Sequence, residues 1–333
     1  MKRMVFGALG ALALSVTAAV AEYPEKEIQG IIQWGAGGST DTVMRSVTPH
    51  AEDVLGGKVV LQNITGGVGA IALNQVAGAK ADGYTLLMGA ENPLLYKVLG
   101  LGKKDYSDFI PINVLARGTA ILVASPDAPF DDYAGMMEHI KANPGAVRFG
   151  STGPGGLPSV ITAMIESVEG GLDVIKVPYD GDGPALTALQ GGAIDVMPAV
   201  LGASIEFIRA GSMKPLAVFD TEANKNLPDA PTITSFNAGY EAHLPWGPFF
   251  GVFVPNGTPD DVVAKLTEAY KVGAENADFI ELMDGRGFTM MNISGAEAQD
   301  FLTNWQQGTA WLLQDAGLTK ASPEEFGIAR PAE

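Results

Sequence analysis

The fold is decided by the segment EIQGIIQWGAGGSTDTVMRSV, residues 27–47. It begins with a short, isoleucine-rich apolar run, which is typical of a buried β-strand. A glycine-rich turn follows, and after it Val43, Met44 and Val47 are spaced to form the apolar face of a helix. Strand, turn and helix in this order are the building unit of α/β proteins. Pro49 stands inside the helix, and we expect it to kink or split the helix near Val47.

The same alternation continues along the chain, which predicts an α/β fold. Helices are expected to begin at Asp131, at Thr258 with its hydroxyl as the cap, and near Ser294. A chain of this length exceeds what one ordinary core serves, so two lobes are expected. The further predicted strands are KVVLQNI, YTLLMG, INVLA, AILVAS, VRFGS, DVIKVPY, IDVMPA, KPLAVF and FFGVFVP.

The glycine turn at the start of the first helix favours an anion as its ligand. Glycine lets the backbone approach a ligand closely, and a helix N-terminus directs unpaired N–H groups toward it. The turn matches neither GxxxxGK[ST] nor GxGxxG, which argues against a nucleotide. A carboxylate needs only two or three well-placed donors. The alternative is that Ser39 or Asp41 only caps the helix and the glycines only turn the chain.

Two later segments repeat the arrangement of strand, glycine turn and helix. They are RFGSTGPGGLPS at 148–159, ahead of the helix VITAMIESV, and VPYDGDGPALTALQGG at 177–192. In two-lobed α/β proteins, ligands bind beyond the carboxyl ends of the strands, where such turns gather. We therefore expect these turns to face the first one.

Composition excludes several classes of function. The formal net charge is −17. Without residues 1–21 it becomes −19, because the remaining chain contains 19 basic and 38 acidic residues. Such a surface disfavours nucleic acid. Zero cysteines exclude disulfides and thiolate chemistry, and the three scattered histidines predict no metal site and no cofactor. No GxSxG nucleophile is present, so an enzyme is not expected.

The N-terminus predicts the compartment. Lys2 and Arg3 precede an apolar run to Val20, and Ala19-Val20-Ala21 has the small-x-small form of a signal-peptidase site. Residues 1–21 are therefore predicted to be a secretory signal that directs the protein to the periplasm, with an uncleaved anchor as the alternative.

With these motifs in order, the chain resembles the periplasmic solute-binding proteins of tripartite tricarboxylate transporters, the Bug-type receptors. The resemblance runs from about Tyr23 to the region of Gly317. It is carried by YPEKEIQGIIQWGAGGSTDTVMR, QNITGGVGAIALNQVAGAKADGYTLLMG, KKDYSDFIPINVLA, RFGSTGPGG, VPYDGDGPALTALQGGAIDVM, LAVFDTEANKNLPDAPTI and WGPFFGVFVPNGTPDDVV.

The resemblance implies a two-lobed Venus-flytrap fold of type II-like architecture, with lobe 1 at 22–122 plus 246–333 and lobe 2 at 123–245. The hinge would fall near 118–126 and 239–248. The implied ligand is a small organic carboxylate, the implied partner is a set of membrane transporter subunits, and we expect a monomer. The implied ligand-binding residues, with their neighbours, are Trp34, Gly37, Gly38, Ser39, Asp41, Ser151, Thr152, Gly153, Gly155, Pro178, Tyr179, Asp180, Gly181 and Asp195.

Three departures from the family pattern bear on the ligand. The family's GSPSH after the second-lobe turn is replaced by 156–159, GLPS, so its histidine is absent; Asp180 stands where lysine is common; and Trp34 precedes the first turn. If Asp180 and Asp182 line the cleft, they disfavour a polyanion and favour an amino or hydroxyl group. The alternative is that both acids point to solvent in an ordinary turn.

Two other functions stay open from the sequence. A periplasmic sensor would present its loaded form to a signalling receptor without transport. A hydrolase would turn over a bound carboxylate ester.

Overall fold

The computed structural model describes residues 23–331. The predicted secretory signal at 1–21 lies outside the described residues. Within residues 23–331, no helix combines the length and the apolar character that crossing a bilayer requires.

Two mixed β-sheets form the frame, and they divide the protein into two lobes. Lobe 1 is built on a six-stranded sheet, in the order β11-β4-β10-β3-β1-β2. Strands β2 and β3 pair with β1 in parallel, whereas β10 runs antiparallel between β3 and β4. The strands of this sheet are β1 (Ile28–Ile32), β2 (Val59–Asn63), β3 (Thr85–Ala90), β4 (Phe109–Arg117), β10 (Phe249–Pro255) and β11 (Thr289–Ile293).

Lobe 2 is built on a five-stranded sheet with the same arrangement. Its order is β7-β6-β8-β5-β9. Strand β6 pairs with β7 and β8 in parallel. Strand β5, which follows the crossing from lobe 1, runs antiparallel between β8 and β9, as β10 does between β3 and β4 in lobe 1. This repeated order agrees with the predicted type II-like architecture. The strands are β5 (Ala120–Ala124), β6 (Arg148–Ser151), β7 (Ile175–Pro178), β8 (Val196–Val200) and β9 (Lys214–Val218).

Helices cover both sheets and bury apolar faces against them. In the first helix, Val43, Met44 and Val47 are fully buried, as the spacing predicted. The helices are α1 (Ser39–Leu55), α2 (Ala70–Ala77), α3 (Tyr96–Leu99), α4 (Tyr133–Ala142), α5 (Leu157–Glu169), α6 (Asp182–Gln190), α7 (Leu201–Arg209), α8 (Asp260–Ala274), α9 (Ala277–Gly285) and α10 (Gly295–Asp315).

The chain crosses between the lobes at two adjacent points. One crossing joins β4 to β5 through residues 118–119, and the other leads into β10. The Gly118 amide donates to the Pro248 carbonyl at 2.8 Å, and a Cβ on Gly247 would lie 2.1 Å from the Gly118 carbonyl oxygen. The two crossings therefore touch, and only a residue without a side chain fits at Gly247.

Two local predictions differ from the structure. Pro49 does not split helix α1, which continues from Ser39 to Leu55. Arg45, whose carbonyl loses its partner to the proline, is exposed, so water can replace the missing N–H. Thr258 does not cap α8; its hydroxyl donates to the Pro255 carbonyl at 2.8 Å instead.

Candidate ligand-binding cleft

The carboxyl ends of the parallel strands from both sheets meet at a closed cleft between the lobes. Lobe 1 contributes the segments after β1 and β3, and lobe 2 contributes the end of β8 and the turns after β6 and β7. Between them lies a cavity of about 40 Å³ that is partly open to solvent. Ligand pockets usually measure about 300–1,000 Å³, so a solute requires the lobes to lie further apart than they do here.

Most of the cavity wall is apolar, and its polar groups come from few positions. Residues Ser39, Thr40 and Thr152 bring hydroxyls, and Glu91 and Asp182 bring carboxyls. The remaining lining residues are Trp34, Ala90, Leu157, Pro158, Gly181, Met197, Pro198, Ala199, Val200, Pro248 and Phe250.

A carboxylate of the protein itself occupies the donors at the first glycine turn. Asp182 of lobe 2 reaches across the cleft and accepts hydrogen bonds from the Ser39 amide at 3.2 Å and from the Ser39 hydroxyl at 2.7 Å. Ser39 is the first residue of α1, so Asp182 sits at the positive end of that helix dipole. Burial raises the pKa of Asp182, and the bonds from Ser39 partly oppose that rise. The turn therefore binds a carboxylate, as its composition suggested, but in this structure the carboxylate is internal.

Backbone contacts beside this pair also join the lobes. The Gly35 amide donates to the Asp180 carbonyl at 3.0 Å, and the Asn92 side-chain amide donates to the Gly155 carbonyl at 2.8 Å. At Gly183, a Cβ would lie 2.5 Å from the Ala36 carbonyl oxygen. Closure thus brings main chain against main chain.

Glu91 is a buried acid that faces this cavity from lobe 1. It follows β3 directly, and only 3% of its surface is exposed. Its Oε2 atom has no hydrogen-bond partner among the described residues. Burial, with a contribution from the Asp182 charge, raises the pKa of Glu91 to about 8. At neutral pH the unliganded site therefore holds Glu91 mainly as the neutral acid.

Glu91→Gln is expected to change how stability depends on pH. The folded-state pKa of Glu91 lies above its unfolded value of 4.5, so the folded protein holds this proton more tightly. The resulting stabilisation is present below pH 4.5 and is lost as the pH rises through about 8. Relative to Glu91→Gln, the wild type should lose on the order of 1.4 kcal/mol of unfolding free energy per pH unit across this window.

Urea unfolding of both proteins between pH 5 and pH 8 measures this difference. Glu281→Gln, an exposed acid on α9, is the matched control and should track the wild type. Parallel pH profiles for the wild type and Glu91→Gln would contradict a buried Glu91.

The other acid of the first turn, Asp41, shapes the turn rather than the cavity wall. Its carboxylate accepts from the Gly37 amide at 3.0 Å, from Arg45 at 2.7 Å and from Asn63 at 2.9 Å. Gly37 has a φ of 76°, in the left-handed region that favours glycine, and its amide is held by this network. Gly38 lies against the other lobe instead, since a Cβ there would lie 2.3 Å from the Asp182 carboxylate. Asp41 is fully satisfied within lobe 1.

The second turn divides between two cavities. Thr152 lines the cavity beside Ser39 and Asp182, whereas Ser151 and Gly153 line a second cavity of about 300 Å³, whose wall also includes Leu99 and Leu318 of lobe 1. The Ser151 hydroxyl accepts from the Gly153 amide at 3.2 Å. Gly155 contributes its carbonyl to the contact with Asn92. Within this turn, Thr152 is the predicted residue that lines the smaller cavity beside Ser39 and Asp182, and Gly153 and Gly155 lie against Val68 and Leu99 of lobe 1.

In the third turn, the side chains of Asp180 and Asp182 have different surroundings, which the sequence left open. Asp180 is exposed, and its side chain lies 3.4 Å from the Thr65 hydroxyl at the mouth of the cleft, whereas Asp182 points inward. Gly181 lines the cavity between them. Pro178 is exposed at the end of β7, and Tyr179 packs against the core of lobe 2.

Asp195 lies apart from the other predicted residues. It precedes β8, whose opposite end lines the cavity. Its carboxylate accepts from the Arg148 amide at 2.7 Å and from the Arg148 guanidinium, and these bonds lower the pKa of Asp195 against the effect of burial. The structure gives Asp195 the role of tying β8 to β6.

Sequence reasoning missed Glu91 and the cavity wall formed by β8 and β10. An acid directly after a buried strand was the available signal for Glu91, since ligands bind beyond strand carboxyl ends. Pro248 and Phe250 carried no such signal, because Pro248 directly precedes the antiparallel strand β10 and Phe250 belongs to it. Among residues 23–331, no cluster of acids and histidines has the geometry of a metal site.

Comparison with known proteins places this cleft in a family. Residues 43–318 match the family described as tripartite tricarboxylate transporter family receptor. Protein BugT of Bordetella pertussis is 29% identical over 321 residues, which cover 94% of this chain and 95% of BugT.

Solved structures share the architecture. The periplasmic binding protein BugD superposes with a TM-score of 0.84 at 28% identity, covering 90% of this chain and all of BugD. MatC from Rhodopseudomonas palustris, solved with bound malate, superposes with a TM-score of 0.78 at 24% identity, covering 88% of this chain and all of MatC. At that identity, the likeness to MatC shows the fold alone.

Proposed function

Because this chain belongs to the tripartite tricarboxylate transporter receptor family, whose members are periplasmic solute-binding proteins and not enzymes, we propose that it captures a small organic carboxylate between its lobes. We further propose that it works in the periplasm as a monomer and delivers this ligand to the membrane subunits of a tripartite tricarboxylate-type transporter. Ligand contacts would come from the cavity-facing members of the three glycine turns, chiefly Ser39, Thr152 and Gly181.

The observation that carries this proposal is the bond between Ser39 and Asp182. The turn before α1 holds a carboxylate with one amide and one hydroxyl, without help from lysine or arginine. Charge-assisted bonds of this kind contribute about 1.5–3 kcal/mol each. A ligand carboxylate that took the place of Asp182 in the open form would find the same donors.

Closure would couple the ligand to the transporter. We assign lobe 1 to 22–122 plus 246–333 and lobe 2 to 123–245, with the touching crossings at Gly118 and Gly247 as the hinge. A ligand that contacts both lobes shifts the population toward the closed form by its difference in affinity for the two forms. The membrane subunits would then recognise the surface of the closed form.

A thermal-shift screen of the protein without residues 1–21 tests the proposal. Organic acids, amino acids and aromatic carboxylates are the probes, because a ligand that binds only the folded state raises the melting temperature. At 100 times Kd the stabilisation is about 2.7 kcal/mol. We expect at least one carboxylate to raise the melting temperature and to compact the protein in X-ray scattering. If no carboxylate does either, the proposal is wrong.

A further inference from the structure

The charges that face the interlobe cavity do not match a polyanion. Two acids, Glu91 and Asp182, line it from opposite lobes, and none of the side chains that line it is a lysine, arginine or histidine. A di- or tricarboxylate would place further negative charge beside these acids in a space with a largely apolar wall, where charges interact more strongly than in water. The first turn offers its donors to only one carboxylate at a time, and Asp182 competes for them.

We propose that Glu91 and Asp182 select a ligand that carries a protonated primary amine, an apolar body and at most one carboxylate. This inference rests on the proposed function and names the class of solute that the same cleft takes.

An amine ligand would supply the hydrogen-bond donor that one oxygen of the Glu91 carboxyl lacks. Oε2 is buried and accepts no hydrogen bond within the described part of the chain, and Glu91 is one of the residues that line the cavity. Buried polar atoms are nearly always paired, and a buried carboxylate needs a donor, a cation or a proton. An ammonium group supplies three donors and a positive charge. A ligand carboxylate supplies no donor, so it would leave Oε2 without a partner unless Glu91 stayed protonated.

The remaining wall fits an apolar body. Trp34, Leu157, Val200 and Phe250 surround the two acids. The Trp34 ring can also receive a cation on its face. If the Asp182 carboxylate rotates toward the ammonium, it leaves the amide and hydroxyl of Ser39. These donors and the Thr152 hydroxyl can then bind a single carboxylate of the ligand.

Glu91 should ionise when such a ligand binds. The side chains that interact with it are Asp182 from lobe 2 and Asn92, Tyr96 and Tyr106 from lobe 1, and none of them carries a positive charge. When an ammonium group binds, the neutral carboxyl of Glu91 therefore releases its proton to solvent, and the ammonium supplies the positive charge beside the resulting carboxylate. Binding at pH 7 should release close to one proton, and affinity should rise up to tenfold per pH unit between pH 6 and pH 8.

The test is a matched panel on the protein without residues 1–21. The panel holds the common L-amino acids, the amines that lack their carboxyl group, the acids that lack their amino group, and malate, succinate, adipate and citrate. Thermal shift identifies binders, and calorimetry measures Kd and proton release in buffers with different ionisation enthalpies. We expect the tightest ligand to carry a primary amine and to exceed its des-amino counterpart by at least tenfold.

The variant Glu91→Gln tests whether the charge of Glu91 binds the amine, and Glu281→Gln is its control. Glutamine keeps the size of the side chain but cannot carry charge, so the amine ligand should bind roughly 10- to 100-fold more weakly and its proton release should disappear. Glu281→Gln should bind as the wild type does.

The outcomes separate this inference from the proposed function. If malate, adipate or a des-amino acid binds as tightly as any amine and tightens as the pH falls, Glu91 donates to an anion; the inference is then wrong and the proposed function stands. If only amines without a carboxylate bind, the inference stands and the carboxylate part of the proposed function is wrong. If no amine in the panel binds, the inference is wrong.

Discussion

Gly183→Ala is expected to hold the lobes apart and to lower the ratio of closed to open protein by roughly 10- to 100-fold. In the closed form, a Cβ at this position would lie 2.5 Å from the Ala36 carbonyl oxygen and 2.8 Å from the Gly38 amide nitrogen. Both are main-chain atoms of the other lobe, so no side chain can rotate away. Forcing a methyl group into such a contact costs about 1–3 kcal/mol, and 1.4 kcal/mol is a tenfold change.

The same substitution should leave the separate lobes intact, which makes closure the property under test. Gly183 lies in the first turn of α6, where alanine is favoured over glycine. X-ray scattering with and without ligand measures the compaction, and calorimetry measures Kd. Gly191→Ala is the control, because it ends the same helix and its Cβ would meet nothing closer than 3.5 Å. Ligand-induced compaction in Gly183→Ala equal to that of the wild type would contradict the closed form described here.

Asp182→Ala is expected to open the protein in the absence of ligand. The substitution removes both hydrogen bonds to Ser39 across the cleft. Two charge-assisted bonds of about 1.5–3 kcal/mol each hold the closed form, less the energy that water recovers in the open one. We expect the ratio of closed to open protein to fall by about 100-fold.

Distances between two spin labels measure that ratio. The chain has no cysteine, so single cysteines introduced at the exposed positions Gln62 and Glu138 label one lobe each without further changes. Asp173→Asn, an exposed acid of lobe 2, is the control for charge. A ligand-free Asp182→Ala with the same distance distribution as the wild type would show that Asp182 does not hold the lobes together.

Local patterns predicted most of the frame. Ten of the eleven strands were predicted from apolar runs. Helix α1 was predicted from its apolar spacing, α5 and α6 from their place after a strand and a glycine turn, and α4, α8 and α10 from sequence signals near their ends. Strand β11, TMMNI, was missed because it has few β-branched residues and contains Asn292 at a φ of 50°. Its place at the sheet edge is set by pairing with β4, a partner far away in the sequence.

The cleft was less accessible to prediction, because it is made by the approach of two lobes. Gly38, Ser39, Thr152 and Gly181 stand in glycine turns at strand ends, and the structure brings them to one place. Asp180 and Asp182 are two residues apart in one turn, yet one faces solvent and the other faces Ser39. Local sequence contains no information about which side of that turn meets the opposite lobe.

The departures from the family pattern gain a physical meaning in this structure. The missing histidine of the second turn and the acids of the third turn leave the cavity without a positive side chain. Glu91 adds a further acid from lobe 1. The acids that line the cavity, with no cationic side chain beside them, therefore favour a solute with few negative charges.

A crystal structure with the tightest ligand of the panel tests the central claim most directly. We predict one ligand molecule between the lobes, in contact with Ser39 and Glu91 on one side and with Thr152 and Asp182 on the other. A ligand bound only elsewhere, for example in the surface cavity beside Trp311 and Glu166, would contradict the account.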